Sequence, residues 1–378
     1  MLIAHPSADL YGSDRVILET IEGLRAEGVQ VVLSVPAGGP LVVEAESRGA
    51  VVRLCPTPVL RKAFLSPSGL IRLALEALRS LVASIRLVRQ VRPALIYVNT
   101  ITIPLWPVVA TVIRKPLLIH VHEAEGTASW LVRKVLAAPL FLADSLVTNS
   151  RFSVDVLASS FSRLAGRCRI IDNGVVGPST VDAARHELSG PVRLVYVGRL
   201  SHRKGPDLVV DAVAELIDRG IPAELHVVGA VFPGNEAFDH EMRRRIEYAD
   251  LATEVRLHGF QPSVWPFLAD ADIVVVPSRV DEPFGNTAVE AMLAARPAIV
   301  SDTSGLREAS AGFGSVIRVA PGSSAAIADA VVAMVSDWGR YRDTALVDAG
   351  RAVKRNSIAA YRSAIAGEVK MLIRMDER

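Results

Sequence analysis

Two glutamates, Glu282 and Glu290, stand eight positions apart in the stretch EPFGNTAVE. The preceding run DIVVVPS is apolar on both faces and predicts a buried parallel strand, so Glu282 lies in the loop at its carboxyl end. Glu290 falls one turn inside the helix predicted after this loop. Both carboxylates can therefore face the same side of a sheet. The alternative is that they are surface charges that merely favour the helix N-terminus.

The turn between the two glutamates has residues suited to holding a ligand. Pro283 restricts the loop, and Gly285 lets a ligand approach the backbone closely. Asn286 is predicted to be the N-cap of a helix that runs from Thr287. The free N–H groups at such a helix start favour an anion. Together with two carboxylates, they suit a ligand with many hydroxyl groups and a phosphate, such as a sugar nucleotide.

A second candidate group is the basic loop in VYVGRLSHRKGPDLVVDAVAEL. A predicted strand ends at Gly198, the loop then carries Arg199, Arg203 and Lys204, and a helix follows Gly205. Arginine can hold phosphate oxygens through two hydrogen bonds and lysine acts as a point charge, so this loop can clamp a diphosphate. Without other signals, a basic loop is more often a solvated surface, and neither of the usual glycine-rich phosphate motifs is present.

The elements that must position these residues are short apolar runs that alternate with helical patterns along all 378 residues. This alternation predicts an α/β fold with parallel sheets covered by helices. The length suits two domains, and half of the residues are hydrophobic, which is enough for two cores. Ligands of such sheets bind beyond the carboxyl ends of the strands, so we expect a cleft between two facing domains.

The domain boundaries follow from composition. A polar segment rich in small residues occupies 176–191 and reads as a linker. We therefore predict an N-terminal domain over 1–175 and a C-terminal domain over 176–355. We also expect a C-terminal helix over 356–378 that returns to the N-terminal domain.

Bulk properties exclude several classes of protein. The formal net charge is only +2, so no nucleic-acid partner is indicated. Cys55 and Cys168 lie far apart in apolar surroundings and form neither a metal motif nor a disulfide framework, as expected in a reducing cytoplasm. The N-terminus has no signal-peptide pattern, and no apolar run of ~18 residues predicts a membrane span. We expect a cytoplasmic protein.

The two candidate groups together resemble a known family. GRLSHRKGPDLVVDAV followed by EPFGNTAVEAMLAARPAIVSDTSGLRE is similar to the retaining, nucleotide-sugar-dependent glycosyltransferases of family 4. The resemblance covers nearly the whole chain and is strongest over 194–308. It implies the GT-B fold, in which two Rossmann-like domains face each other across a cleft. It also implies that the C-terminal domain binds the nucleotide-diphosphate sugar, that the N-terminal domain binds the acceptor, and that no metal or other cofactor is needed.

The resemblance assigns roles in the C-terminal domain residue by residue. Arg199 and Lys204 match the cations that bind the diphosphate. Glu282 matches the glutamate near the transferred sugar, and Glu290 matches the one that binds ribose hydroxyls. The remaining matches are Phe284, Gly285 and Asn286 for backbone contacts to sugar and phosphate, Thr287 near the distal phosphate, and Leu257, His258 and Gly259 along the nucleobase.

In the N-terminal domain, YGSDRV resembles the family's GGAER loop and IHVHE resembles a strand that ends in an active-site histidine. Gly12 keeps the backbone opening beside the donor phosphates. Tyr11 replaces the first glycine and narrows that opening, and Asp14 replaces the glutamate. The histidine is assigned to His122, with His120 on the same side of the strand. A lone histidine at a strand end is otherwise more often structural.

The mechanism that the resemblance implies is transfer of a hexosyl group with retention of configuration. Arg199, Lys204 and helix N–H groups stabilise the leaving diphosphate in place of a metal. The departing phosphate oxygen takes the acceptor proton, and His122 orients the acceptor or the sugar. Alternatives are a sugar-nucleotide epimerase, a phosphorylase-like enzyme and a catalytically weak carbohydrate-binding or scaffold subunit. A phosphorylase is disfavoured because no lysine stands in a Schiff-base context.

A predicted helix over residues 70–92 bears on the acceptor. Arg72, Arg79 and Arg86 recur every seven residues and Arg89 follows, which makes one basic stripe. A basic amphipathic helix is typical of contact with an anionic membrane, here at the inner face of the plasma membrane, and would suit a lipid-linked acceptor. The alternative is an ordinary helix with a solvated arginine face and a glycan acceptor.

Overall fold

The computed structural model describes residues 1–10, 12–60, 67–123, 126, 129–231 and 235–376. Within the helix that begins at Pro67, side chains are described from Glu76 onward. The predictions made for Tyr11 and for the side chain of Arg72 lie outside these residues. The chain divides into two units, one formed by Met1–Gly174 with Ile358–Arg378 and the other by Val175–Ser357.

The N-terminal unit is built on a parallel sheet of seven strands in the order β3-β2-β1-β4-β5-β6-β7. Alternate residues of the first strand enter different cores, since Ile3 packs on one face of the sheet and Leu2 and Ala4 on the other. This explains why the strands read as continuous apolar runs. The strands are β1 Leu2–Ala4, β2 Val32–Val35, β3 Val51–Leu54, β4 Ile96–Val98, β5 Leu117–Val121, β6 Ser145–Thr148 and β7 Cys168–Ile170.

The C-terminal unit repeats this plan with a parallel sheet of six strands in the order β10-β9-β8-β11-β12-β13. Its central strand Ile273–Val276 is buried at every position. The strands are β8 Val192–Val197, β9 Ala223–Val228, β10 Val255–Gly259, β11 Ile273–Val276, β12 Ala298–Ser301 and β13 Val316–Val319. The α/β fold with two Rossmann-like units predicted from the sequence is confirmed.

Helices cover both sheets. In the N-terminal unit they are α1 Gly12–Ala26, α2 Pro40–Ser47, α3 Pro67–Val91, α4 Leu105–Ile113, α5 Trp130–Ala137 and α6 Arg151–Ser160. In the C-terminal unit they are α7 Pro206–Asp218, α8 Glu236–Tyr248, α9 Trp265–Asp270, α10 Asn286–Leu293, α11 Ser304–Ala309, α12 Ser324–Ser336 and α13 Trp338–Arg355. The last helix, α14 Ile358–Asp376, belongs to the N-terminal unit.

Helix α14 packs on α1. The hydroxyls of Tyr361 and Thr20 are 2.7 Å apart in the interior, and Arg362 Nε donates to the Glu19 carboxylate at 3.0 Å. Gly23 of α1 makes this close approach feasible, because a Cβ there would lie 2.7 Å from the Cβ of Arg362. The apolar residues of α14, such as Ile365 and Val369, therefore join the core of the first sheet.

The polar segment 176–191 contains neither a helix nor a strand. It is nevertheless held to the C-terminal unit. Arg185 donates from Nε and Nη2 to the two carboxylate oxygens of Asp272, at 2.7 and 2.6 Å, and the Trp338 indole N–H donates to the Arg185 carbonyl at 3.0 Å. The segment thus forms part of the folded unit.

One helix changes type along its length, and one local prediction was wrong. Helix α5 ends at Ala137 and the chain continues as a 3₁₀ helix over Ala138–Leu142, since Pro139 cannot donate a helical hydrogen bond. Asn286 is not an N-cap but the first residue of α10, and Gly285 caps the helix with a φ of 114°. The left-handed backbone there favours glycine.

Both sheets reverse their strand order beside their first strand, at β1 and β4 in one unit and at β8 and β11 in the other. In open parallel sheets, ligands bind beyond the carboxyl ends of the strands at this point. His5 and Asn99 directly follow β1 and β4, and the basic loop directly follows β8. The candidate residues are therefore placed where each unit can hold a ligand.

Candidate active site

In the C-terminal unit, the two groups of candidate residues meet. Lys204, in the loop after β8, places its Nζ 2.6 Å from each carboxylate oxygen of Glu282, in the loop after β11. Ser278 Oγ also donates to this carboxylate. Burial by itself raises the pKa of Glu282, but Lys204, Ser278 and Arg203 outweigh it and hold the pKa below its ordinary value. The site therefore presents an ionised pair.

The two loops are joined by further hydrogen bonds. Arg279 binds both carboxylate oxygens of Asp207, at 2.7 and 2.5 Å, and Asp207 is buried in the first turn of α7. Arg203 donates through Nη2 to the Asp281 carbonyl at 2.9 Å, and its own carbonyl accepts from the Arg279 N–H at 2.9 Å. These bonds fix where Lys204 stands relative to Glu282.

Two glycines permit the close packing of these loops. Gly205, with a φ of 69°, precedes α7, and a Cβ there would lie 2.4 Å from the Pro277 carbonyl oxygen. A Cβ at Gly305 would lie 1.9 Å from the Glu282 carbonyl oxygen. Since neither contact is sterically allowed, the backbone beside Glu282 depends on glycine at both positions.

The start of α10 lies next to this pair. The Phe284 side chain is buried in an apolar cluster with Val289, so this residue offers only its backbone to a ligand. Thr287 lies in the first turn of α10, and its hydroxyl is 3.5 Å from the Val197 carbonyl oxygen. Glu290 is half-buried one turn into the helix. Arg199, in the loop after β8, is also half-buried, and its carbonyl accepts from the Tyr196 hydroxyl at 2.6 Å.

The segment assigned to the nucleobase lies at the end of β10. His258 stacks on His226, with ring centroids 4.9 Å apart, and its Nε2 is 3.0 Å from His226 Nδ1. Burial, His226 and Arg256 lower the pKa of His258, so the ring is neutral near pH 7. Gly259 has a φ of 67°, and its carbonyl accepts from the Gly229 N–H at 2.8 Å.

In the N-terminal unit, His122 directly follows β5 and is buried. Its Nε2 is 2.9 Å from Asn99 Oδ1, Asn99 Nδ2 is 3.0 Å from His5 Nδ1, and His5 Nε2 is 2.7 Å from Asp14 Oδ1. Burial and the neighbouring His5 lower the pKa of His122 to about 3, against the opposing effect of Asp14. His122 is therefore neutral at physiological pH.

Further buried groups lie next to His122. His120 Nδ1 is 2.6 Å from the Tyr97 hydroxyl, and its ring lies 3.9 Å from that of His122. Glu123 accepts from the His122 N–H at 3.2 Å and from the Thr100 hydroxyl, which holds the backbone at the end of β5. Burial raises the pKa of Glu123 despite these donors.

The other predicted features of this unit lie at its surface. Gly12 is exposed as the first residue of α1. Arg79, Arg86 and Arg89 of α3 are all exposed, and Leu78 and Val82 beside them are 62% and 43% exposed. The described part of α3 therefore presents basic and apolar side chains to solvent.

The described residues contain no group of three or more His, Cys, Asp or Glu side chains that could hold a metal ion. None of the helices in the described part of the chain has the length and hydropathy to cross a bilayer.

Sequence reasoning missed several residues that build these sites. His5 and Asn99 escaped notice although each polar residue directly follows a short apolar strand, a signal that could have identified them. No such signal marks Asp207 and Arg279, because they bind each other across 72 positions. None marks Ser278 either, because its contact with Glu282 depends on the path of the loop.

Comparison with known proteins agrees with this architecture. Residues 191–337 match the family model described as glycosyl transferases group 1, and residues 11–176 match that of glycosyltransferase family 4. The 2-deoxystreptamine glucosyltransferase of Streptomyces kanamyceticus is 30% identical over 85% of this chain and 89% of its own length. A glycogen synthase of Mycobacterium tuberculosis is 33% identical over 58% of this chain. The chain spans about half the length of that synthase, at 49%.

Solved structures show the same fold. HepE of Anabaena, crystallised with UDP-glucose, superposes with a TM-score of 0.81 at 20% identity, and the match covers 98% of this chain and 99% of that one. WaaG, a glycosyltransferase of lipopolysaccharide biosynthesis, superposes with a TM-score of 0.70 at 14% identity over 97% and 98% of the two chains. The fold is thus GT-B, as predicted from the sequence. The chain belongs to glycosyltransferase family 4.

Proposed function

We propose that this protein is a metal-independent retaining glycosyltransferase that moves a hexosyl group from a nucleotide-diphosphate sugar to a glycan or lipid-linked acceptor. The observation that carries the proposal is the Lys204–Glu282 pair at the carboxyl ends of β8 and β11. One cation and one carboxylate in contact can bind a sugar diphosphate, whose charge attracts the first and whose hydroxyls donate to the second.

Lys204 is available for this role because it is not buried. Its side chain is 30% exposed, whereas that of Glu282 is 9% exposed. A diphosphate can therefore approach the ammonium group from the solvent side while the pair stays in contact. Arg199, on the same loop, would supply the second cation. Because charge grows on the leaving diphosphate in the transition state, these cations and the α10 N–H groups would lower the barrier without a metal ion.

The remaining roles are those that the resemblance to family 4 implies for α10 and the end of β10. Glu282 would accept hydrogen bonds from the transferred sugar, and Glu290 would accept them from the ribose. The backbone of Phe284, Gly285 and Asn286 would meet the sugar and phosphate, with Thr287 at the distal phosphate. The end of β10, with His258 and Gly259, would lie along the nucleobase.

Retention is proposed to proceed by attack on the face from which the diphosphate leaves. The departing phosphate oxygen would take the acceptor proton, so no further carboxylate is needed as a base. Glu282 supports this assignment because it is held by Lys204 and Ser278 and is ionised, which suits a hydrogen-bond acceptor. His122 would orient a hydroxyl of the acceptor or of the sugar, and Gly12 would leave room beside the donor phosphates.

The acceptor side is proposed to involve α3. Its exposed Arg79, Arg86 and Arg89, next to Leu78 and Val82, suit reversible contact with an anionic membrane at the inner face of the plasma membrane. This would place the enzyme in cell-envelope or polysaccharide biosynthesis. One relative at 34% identity over 40% of this chain is named as a mannosyltransferase that acts on a phosphatidylinositol mannoside, which supports a lipid-linked acceptor.

The test is a screen of nucleotide sugars by thermal shift, followed by donor hydrolysis and transfer. UDP-glucose and GDP-mannose come first, because the names of a structural neighbour and of a relative include them. We expect turnover to a free nucleoside diphosphate that persists in excess EDTA. Loss of activity in EDTA with recovery on Mg²⁺ or Mn²⁺ would refute the metal-independent mechanism. No turnover with any donor would favour a carbohydrate-binding or scaffold subunit.

A further inference from the structure

The buried chain Asp14–His5–Asn99–His122 has a defined direction of hydrogen bonding. All four side chains are buried, and none is more than 7% exposed. A carboxylate only accepts, so His5 Nε2 must carry the proton that it shares with Asp14 over 2.7 Å. Ser7 also donates to this oxygen, at 2.9 Å, which strengthens Asp14 as the accepting end.

The amide of Asn99 carries this direction further. Its Nδ2 donates to His5 Nδ1 over 3.0 Å, which requires a bare nitrogen there and hence a neutral His5 ring. The other end of the amide, Oδ1, can only accept, so His122 Nε2 must carry the proton over the 2.9 Å contact. Turning the amide over would place its oxygen against the His5 lone pair. As long as His5 holds only the proton that it shares with Asp14, Asn99 therefore has one allowed orientation.

The orientation of Asn99 also determines the state of the other ring nitrogen of His122. Its Nδ1 is buried and has no hydrogen-bond partner among the residues that the structure describes. A buried polar atom without a partner costs free energy, and such atoms at a candidate site need an explanation. Since Nε2 holds the proton, Nδ1 is a bare acceptor, which can take a hydrogen bond from a hydroxyl.

We propose that Asp14, His5 and Asn99 are positioning residues that hold His122 as the neutral Nε2–H tautomer, so that Nδ1 accepts a hydrogen bond from a hydroxyl of the bound sugar or acceptor. The identity of the ligand rests on the proposed function, whereas the tautomer does not. Among the residues that the structure describes, the charged or titratable groups around His122 are His5 and Asp14 in the chain, His120 at 3.9 Å between ring centroids, and Glu123 at its backbone N–H.

The first test is NMR of the whole chain with ¹⁵N-labelled histidine, between pH 8 and pH 5. The His122 signals are identified by their loss in His122→Gln. We expect a protonated Nε2 and an unprotonated Nδ1 that does not titrate in this range. A proton on Nδ1, or titration near that of free imidazole, would overturn the proposal.

The second test changes the hydrogen-bond donors and acceptors at position 99 while keeping the side chain the same size. In Asn99→Asp, a carboxylate accepts from both histidines, so His122 is expected to gain its second proton between pH 5 and pH 8. His5→Gln should keep the wild-type tautomer, because glutamine can accept from Asn99 and donate to Asp14. His120→Gln, which removes a neighbouring ring outside the hydrogen-bonded chain, is the matched control and should leave the tautomer unchanged. Identical His122 spectra in Asn99→Asp and wild type would refute the proposed role of Asn99.

Kinetics then tests the role of the tautomer. With a donor that the wild type turns over, kcat of Asn99→Asp should fall as the pH drops through the new titration of His122, whereas wild type shows no such limb. An unchanged pH profile despite a titrating His122 would refute the hydroxyl contact. If no donor is turned over, the proposed function fails. The NMR result still decides whether Asp14, His5 and Asn99 set the tautomer of His122.

Discussion

The two units place opposite kinds of chemistry at the same point of the same fold. Beyond β8 and β11, the C-terminal unit holds an ionised pair, Lys204 and Glu282, in contact at 2.6 Å. Beyond β1, β4 and β5, the N-terminal unit holds the imidazoles of His5 and His122 linked by the Asn99 amide, with the Asp14 carboxylate at the far end. The fold decides where a ligand can bind, and the side chains decide whether its charge or its hydroxyls are recognised.

The difference in burial follows from the difference in charge. A buried ion pair is costly unless its geometry is good, and the C-terminal unit keeps Lys204 partly in solvent. A neutral hydrogen-bonded chain can be fully buried at little cost when each donor meets an acceptor. The N-terminal chain leaves His122 Nδ1 without a partner in the described part of the molecule. Charged groups thus make up the candidate site of the C-terminal unit, whereas an uncharged acceptor, His122 Nδ1, stands at the end of the hydrogen-bonded chain in the N-terminal unit.

The charged cluster of the C-terminal unit, formed by Arg199, Lys204, Glu282 and Glu290, should lose affinity for a diphosphate when its cations are removed. Lys204→Ala and Arg199→Ala are each expected to weaken nucleoside diphosphate binding by about 1.5–3 kcal/mol, and transfer by ~10²-fold or more. Arg243→Ala is the control, since this exposed arginine of α8 pairs with Asp239 of the same helix, and should leave binding unchanged. Calorimetry and kcat/KM measure both. Wild-type binding in Lys204→Ala and Arg199→Ala would contradict the assignment.

The two glutamates of the charged cluster should differ in which part of the donor they bind. Glu290→Ala should weaken the nucleoside diphosphate itself, because it is assigned to the ribose, by about 1–3 kcal/mol. Glu282→Ala should weaken the sugar nucleotide and slow transfer while leaving nucleoside diphosphate affinity nearly unchanged. Titration calorimetry with both ligands decides this. Equal losses for both ligands in both variants would mean that the roles are not divided.

A fall in pH should destabilise the N-terminal unit before the C-terminal unit. The pKa of His122 is lowered to about 3 from its ordinary 6.5, so the unfolded chain takes up the proton more readily, and stability present above pH 6.5 is lost as the pH falls. His120 shifts in the same direction, whereas Glu123 opposes both because its pKa is raised. The pKa of Glu282 is lowered from 4.5, so its contribution persists to lower pH.

Hydrogen exchange read by mass spectrometry, corrected for the intrinsic rate, measures this difference between pH 7 and pH 5. We expect protection to fall in peptides of β1, β4 and β5 while those of β8 and β11 stay protected. In His122→Gln the fall should be smaller. Equal losses in both units would show that the buried histidines do not control acid stability.

The smallest expected effect concerns the exposed face of α3. Each basic residue near an anionic surface contributes about 1 kcal/mol, so wild type should sediment with anionic vesicles at low salt and be released at high salt. A variant with Arg79, Arg86 and Arg89 changed to Gln should stay in solution and still bind nucleotide. If wild type ignores anionic vesicles at low salt, the stripe is a solvated face and the acceptor is a soluble glycan.

Much of the architecture could be predicted from local pattern. Apolar runs such as DIVVVPS correctly predicted buried parallel strands, because both faces of such a strand are covered. Helix ends were less predictable, and Asn286 shows why. Its side chain suits an N-cap, but the neighbouring Gly285 adopts the left-handed backbone and takes that position. Propensity at one residue is overruled by the path that the chain must follow.

Local periodicity in the sequence predicts which residues are strand and which are loop, and hence that Lys204, Glu282 and His122 lie at the carboxyl ends of strands. Which of these residues are in contact depends on the tertiary structure. The Lys204–Glu282 contact joins residues 78 positions apart, and Asn99 reaches His5 across 94 positions. Such contacts depend on strand order, which places β8 beside β11 and β1 beside β4. Periodicity along the chain carries no record of that order, because many orders satisfy the same pattern of buried strands.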